Sequence, residues 1–87
     1  ANLNLNEEAI ADYDKAIEEY LKIPYLYPQD TQWVIKAYLR VAKLFENAED
    51  WEKAINTYNK IMVYEVDERA FAQERLDWIQ QNVMSNY

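Results

Sequence analysis

DYDKAIEEYLKI, residues 12–23, returns 38 positions later as DWEKAINTYNKI, residues 50–61. Asp12, Lys15, Ala16, Ile17, Tyr20, Lys22 and Ile23 recur unchanged as Asp50, Lys53, Ala54, Ile55, Tyr58, Lys60 and Ile61, and Tyr13 and Asp14 are answered by Trp51 and Glu52. Self-similarity at a period of this size is the mark of stacked helical hairpins. One hairpin cannot bury its own apolar face, so the next one covers it, and the ordered surface that results is usually a binding surface. The expected class is all-α.

Working outward, apolar residues at Ile10, Tyr13, Ile17, Tyr20 and Leu21 keep the three-and-four spacing of a helix face. They predict a first helix over about 7–22, capped by Asn6, with Asp12 as an alternative start. Pro24 and Pro28 should close it and make residues 23–30 the connection. A second helix is expected over about 32–47, capped by Asp30 or Thr31, with Tyr38, Val41, Ala42 and Phe45 on one stripe. A turn over 47–50 leads to a third helix over about 51–64, capped by Asp50, with Trp51, Ala54, Ile55, Tyr58 and Ile61 inward. A fourth helix over about 68–83 presents Phe71, Ala72, Leu76, Ile79 and Val83. The 38-residue shift carries Tyr38, Val41 and Phe45 onto Leu76, Ile79 and Val83, so the fourth helix reads as the first arm of a further hairpin. The single domain therefore divides into a second arm over 7–30, a complete repeat over 31–66 and a first arm over 67–87. Starting partway through a repeat and without an initiator Met, the sequence reads as a piece of a longer chain.

Composition narrows the chemistry. There is no glycine, hence no Gly-rich phosphate cradle and no EF-type calcium loop; no cysteine, hence no disulfide or thiolate metal site; and no histidine, hence no Ser-His or Cys-His catalysis. No apolar run approaches the roughly 20 residues that span a bilayer, so no direct membrane insertion of this segment is expected. Nine basic against sixteen acidic residues give a net charge of −7, which repels phosphate backbones and excludes nucleic acid as a partner. The acidic clusters, Glu46 with Glu49, Asp50 and Glu52 among them, fall on polar faces or turns and read as solvated surface, with Glu18–Lys22, Glu49–Lys53 and Glu65–Arg69 as helix-stabilising pairs. No cofactor and no catalytic activity are expected.

The residues Tyr38, Val41, Ala42, Phe45, Ala54 and Tyr58 match the tetratricopeptide pattern with conservative replacements, and Ala16, Tyr20 and Pro28 fall in register in the preceding copy, while Val66 stands where that pattern has proline. The chain thus resembles the tetratricopeptide repeat family over about residues 9–83. That resemblance implies about four helices as antiparallel hairpins in a right-handed superhelical stack, with a concave groove that holds a protein or peptide. The 38-residue period and Tyr27-Pro28-Gln29-Asp30 resemble the linkers of bacterial outer-membrane assembly lipoproteins and the Tol-Pal coordinator, which implies a periplasmic or envelope setting.

In that family the first arm of each hairpin lines the groove, which implies a partner-binding face built from Lys36, Leu39, Arg40, Lys43, Glu46 and Asn47 on the second helix and Glu74, Asp77 and Trp78 on the fourth. Lys36, Arg40 and Lys43 form a positive stripe at spacings of four and three in a strongly negative chain. One reading is contact with an acidic segment or terminal carboxylate of a partner. The other is internal pairing of those cations with Glu74 and Asp77. Trp78 is either an exposed anchor or surface that a further arm would cover, and Tyr25, Leu26 and Tyr27 are expected to plug the gap between repeats, the alternative being a sticky linker patch. The expected function is a non-catalytic binding scaffold. The competing expectation is an interior slice that packs on its parent chain or self-associates through exposed repeat ends, without a ligand of its own.

Overall fold

The computed structural model describes residues 5–86, with side chains described for residues 9–85. Four α-helices follow one another: α1 (Leu5–Leu26), α2 (Thr31–Asn47), α3 (Trp51–Met62) and α4 (Glu68–Asn82), with a 3-10 turn at Met84–Asn86. No strand occurs among the described residues, so the all-α expectation holds. Each helix packs principally on its neighbours in sequence, α1 on α2, α2 on α3 and α3 on α4. The result is a slab of 48 × 38 × 14 Å. Its thinness leaves both broad faces of the helix row accessible. Among the described residues no helix is long and apolar enough to cross a membrane.

Asp30 caps α2, its carboxylate accepting from the Trp33 backbone N–H at 3.3 Å, and Asp50 caps α3 by accepting from the Lys53 N–H at 3.5 Å. Each satisfies one of the N–H groups that the first helical turn leaves without a partner. Asp12, the repeat counterpart of Asp50, starts nothing: it lies in the interior of α1. The difference is made just before it. Ahead of Asp50, Ala48 N–H donates to Leu44 O, Glu49 N–H to Glu46 O and Asp50 N–H to Phe45 O, and Glu49 takes a left-handed φ of 58°. This is a Schellman closure of α2, the kind that usually places glycine where Glu49 stands. The counterparts in the first copy, Ala9, Ile10 and Ala11, favour continued helix.

Two other expectations about α1 are corrected. The helix takes in Asn6, whose capping side chain lies outside the described residues, and it runs through Pro24 to Leu26, which shortens the connection to residues 27–30. Pro24 removes only its own N–H, and the ladder resumes beyond it, where Tyr27 N–H donates to Ile23 O at 2.8 Å. Pro28 stops the chain as expected. α3 and α4 end at Met62 and Asn82, two residues and one short of their expected ends, within ordinary end fraying.

One core cluster joins Ile35 and Ala42 of α2, Ala54, Tyr58 and Ile61 of α3, and Ala72 and Ile79 of α4, all at most 1% exposed. The three alanines let the helix backbones approach closely, and each fully buried isoleucine contributes about 1.5–3 kcal/mol. Ala16, the counterpart of Ala54, is half-buried, because α1 has a neighbour on one side only. Tyr13 packs edge-on to Phe45, ring centroids 6.4 Å apart, and Trp51 lies 6.0 Å from Trp78.

Candidate functional site

A concavity of about 780 Å³ is bounded by α2 and α4 and floored by α3. Lys36, Leu39, Arg40 and Lys43 come from α2, placed on one side by their helical spacing. Tyr58 rises from α3, and Glu68, Phe71 and Arg75 come from α4. Lys36, Arg40 and Lys43 are exposed, Leu39 is half-buried, and Phe71 is 48% exposed. Phe71, at helical spacing with the buried Ala72 and Ile79, offers an aromatic wall to the groove, touching Tyr58 edge-on at 6.3 Å.

Beneath the cations lies a polar knot. Glu46, read from sequence as solvated, is only 8% exposed. Its carboxylate accepts from the Tyr58 hydroxyl and from Arg75 through both Nε, at 3.1 Å, and Nη2. Three helices meet in this one carboxylate: α2 supplies it, and α3 and α4 supply its donors. Burial by itself would raise the Glu46 pKa, but the hydrogen bonds from Arg75 and Tyr58, with the charges of Arg75 and Lys43, more than offset it and hold the carboxyl below 4.5. Tyr58 is driven the other way, first by burial and then by the anion it donates to, so it stays a neutral phenol. Arg75 is held more firmly protonated by its hydrogen bonds to Glu46.

The internal pairing expected for the stripe is not formed. Among the described residues Lys36, Arg40 and Lys43 have no carboxylate within ion-pair distance. Asp77 accepts instead from Gln73 at 2.9 Å, and the cation that crosses between α4 and α2 is Arg75 to Glu46. The expected helix pairs also shift: Lys22 takes Glu19 at 2.9 Å and Lys53 takes Asp50 at 3.6 Å, each three residues away, in place of Glu18 and Glu49 at four.

Of the expected face, Lys36, Leu39, Arg40, Lys43 and Glu46 converge in the groove, while Asn47, Glu74, Asp77 and Trp78 do not line it. Asn47 borders a separate trough with Tyr13 and Leu44. Glu74 and Asp77 are exposed elsewhere on α4. Trp78, 43% exposed, packs on Trp51 and carries the Arg75 guanidinium 4.7 Å above its ring, so it positions the partner of Glu46. Glu68, Phe71, Arg75 and the floor residue Tyr58 were missed. Arg75 was legible in principle, since it is one turn before Ile79 on the side facing α2, but only the packing of α4 shows that it reaches Glu46.

Among the described residues no group of three or more His, Cys, Asp or Glu side chains is arranged to hold a metal ion. The chain matches no protein-family model, no curated protein and no solved structure.

Proposed function

We propose that the chain is a tetratricopeptide-like, non-catalytic binding module, its antiparallel hairpins stacked in a right-handed superhelical sense, and that the groove between α2 and α4 takes an acidic peptide segment of another protein. The observation that carries the reading is the row of Lys36, Arg40 and Lys43, with no carboxylate at ion-pair distance among the described residues of a chain of net charge −7, beside the exposed ring of Phe71. The Lys43 charge helps keep the buried Glu46 ionised, but folding gives no such reason for Lys36 and Arg40 on the same exposed helix edge. Their mutual repulsion is relieved when a ligand supplies carboxylates. Leu39 and Phe71 offer apolar area to a side chain lying between those carboxylates, and aromatic anchors of this kind dominate binding energy when covered. The groove volume falls in the ordinary range of ligand clefts, about 300–1,000 Å³.

The test is an isotope-edited titration with a capped synthetic peptide alternating Glu and Leu, and its Gln-Leu counterpart. Amide shifts should cluster on residues 36–43 and 68–75 for the Glu peptide alone, and vanish in the Lys36→Glu/Lys43→Glu variant. Shifts scattered over the surface, or unchanged by that variant, would remove the reading.

A further inference from the structure

The molecule carries a second surface whose chemistry mirrors the groove. Along one flank of α1, Ile10, Asp14, Glu18, Leu21 and Tyr25 follow one another at spacings of four, four, three and four, which puts all five on one stripe, its Ile10 and Asp14 also bordering the trough with Leu44 and Asn47 of α2. Ile10 is 60% and Tyr25 83% exposed, Leu21 is exposed as well, and the two carboxylates between them make no ion pair among the described residues. From Asp14 to Tyr25 these residues border a shallow trough along the helix. The repeat itself shows that the stacking of hairpins does not demand this stripe: the counterparts of Glu18 and Leu21 on α3 are Asn56 and Asn59, both exposed and neutral.

We propose that the stripe of α1 docks in the α2–α4 groove of a second copy of this chain. Asp14 and Glu18 are four residues apart, about 6 Å along a helix axis, and so are Lys36 and Arg40. Two carboxylates therefore meet two cations at matched spacing, with Lys43 left to close on the same edge. Leu21 and Tyr25 then cover Leu39 and Phe71, taking from water the apolar surface that each copy exposes. Donor stripe and receiving groove lie on different parts of the molecule, so the contact is heterologous: it adds copies head to tail instead of closing a two-fold dimer. The proposal rests on the groove being a receiver of acidic segments, and it identifies one such segment in the chain itself.

Light scattering on the full chain tests it. The weight-average mass should climb from 10.5 kDa past that of a dimer as concentration rises to about 1 mM, the weak end of specific association. Asp14→Lys/Glu18→Lys should weaken association about tenfold or more, and so should Lys36→Glu/Arg40→Glu, because each opposes like charges across the contact. Combining all four substitutions restores the original net charge of −7 and should restore association. All four positions are exposed, and circular dichroism checks that each variant stays folded. Mass fixed at the monomer value throughout, growth that stops at a dimer, or failure of the four-fold variant to regain association would overturn the proposal. Binding of the Glu-Leu peptide to the Asp14→Lys/Glu18→Lys variant separates the two ideas. If that peptide binds its groove while the native chain stays monomeric, the groove reading survives and self-docking does not. If neither peptide nor second copy binds, the groove reading has failed first.

Discussion

Glu46 of α2 and Arg75 of α4, 29 positions apart in sequence, are joined by a two-pronged hydrogen-bonded ion pair on the floor of the groove, with the Tyr58 hydroxyl of α3 donating to the same carboxylate. The pair locks the two helices that bound the groove to each other and to the one beneath. Buried charges hold only when paired and hydrogen-bonded, so the three residues should behave as a unit.

Substitution of single members should therefore cost more than removal of all three. Glu46→Gln is expected to lose about 2–3 kcal/mol and Tyr58→Phe about 1–2 kcal/mol, because each leaves a buried group short of its partner. The triple variant Glu46→Leu/Tyr58→Phe/Arg75→Leu should recover most of that loss, since an apolar replacement of the whole set leaves nothing unsatisfied. Urea unfolding measures all of these, and a triple variant as unstable as the sum of the single ones would refute the coupling.

Acid should find the same carboxylate. Glu46 is held below its ordinary 4.5 by Arg75 and Tyr58 despite the opposing effect of burial, so the unfolded chain takes up its proton first as the pH falls. The stabilisation is complete above pH 4.5 and drains away as the pH drops through the folded-state value. At the other extreme, Tyr13, Tyr38 and Tyr58 are all raised above 10.0, chiefly by burial, so stability should start to fall as the pH climbs past 10. Thermal unfolding across pH 2–12 reads both limbs, and the acid limb should shrink in Glu46→Gln.

Glu49 offers a gain. Its φ of 58° places a side chain where glycine sits without steric penalty, at the residue that closes α2. Glu49→Gly should stabilise the chain by about 0.5–1 kcal/mol, with the greater chain entropy that glycine gives the unfolded state limiting the benefit. An unchanged or lower midpoint in urea would mean that the left-handed turn carries no strain worth relieving.

Tyr13 holds the one buried side-chain polar atom without a hydrogen-bond partner among the described residues, its hydroxyl. Tyr13→Phe keeps the ring against Phe45 and removes the unsatisfied group, so stability should be unchanged or rise by up to about 1 kcal/mol. A loss above about 1 kcal/mol would show that the hydroxyl has a partner in solution.

Much of the helical outline was legible because it rests on local rules. Asp30 and Asp50 cap as their positions predict, and Ala54, Tyr58 and Ile61 are buried where three-and-four spacing puts them. The opening repeat left Asp12 open as an alternative start and misled at Pro24, and at both the helix-favouring neighbours outweighed residues that ordinarily bound a helix. The groove was legible on its α2 side, where Lys36, Arg40 and Lys43 share one helix and need only periodicity. On the α4 side, Glu74, Asp77 and Trp78 were expected and Glu68, Phe71 and Arg75 are found, because the repeat shift gives the register of a helix but not its rotation against its neighbours.

By itself, then, the sequence determined the four helices, their order and the cationic edge of α2, all of which follow from spacing along one chain segment. Only tertiary structure decided that Glu46 is buried and shared by Tyr58 and Arg75, that Phe71 faces outward, and that Lys36, Arg40 and Lys43 make no ion pair among the described residues. Those outcomes depend on how separate helices turn against each other. That is settled by the sum of many side-chain contacts across the interfaces, and no periodicity within a single helix encodes it.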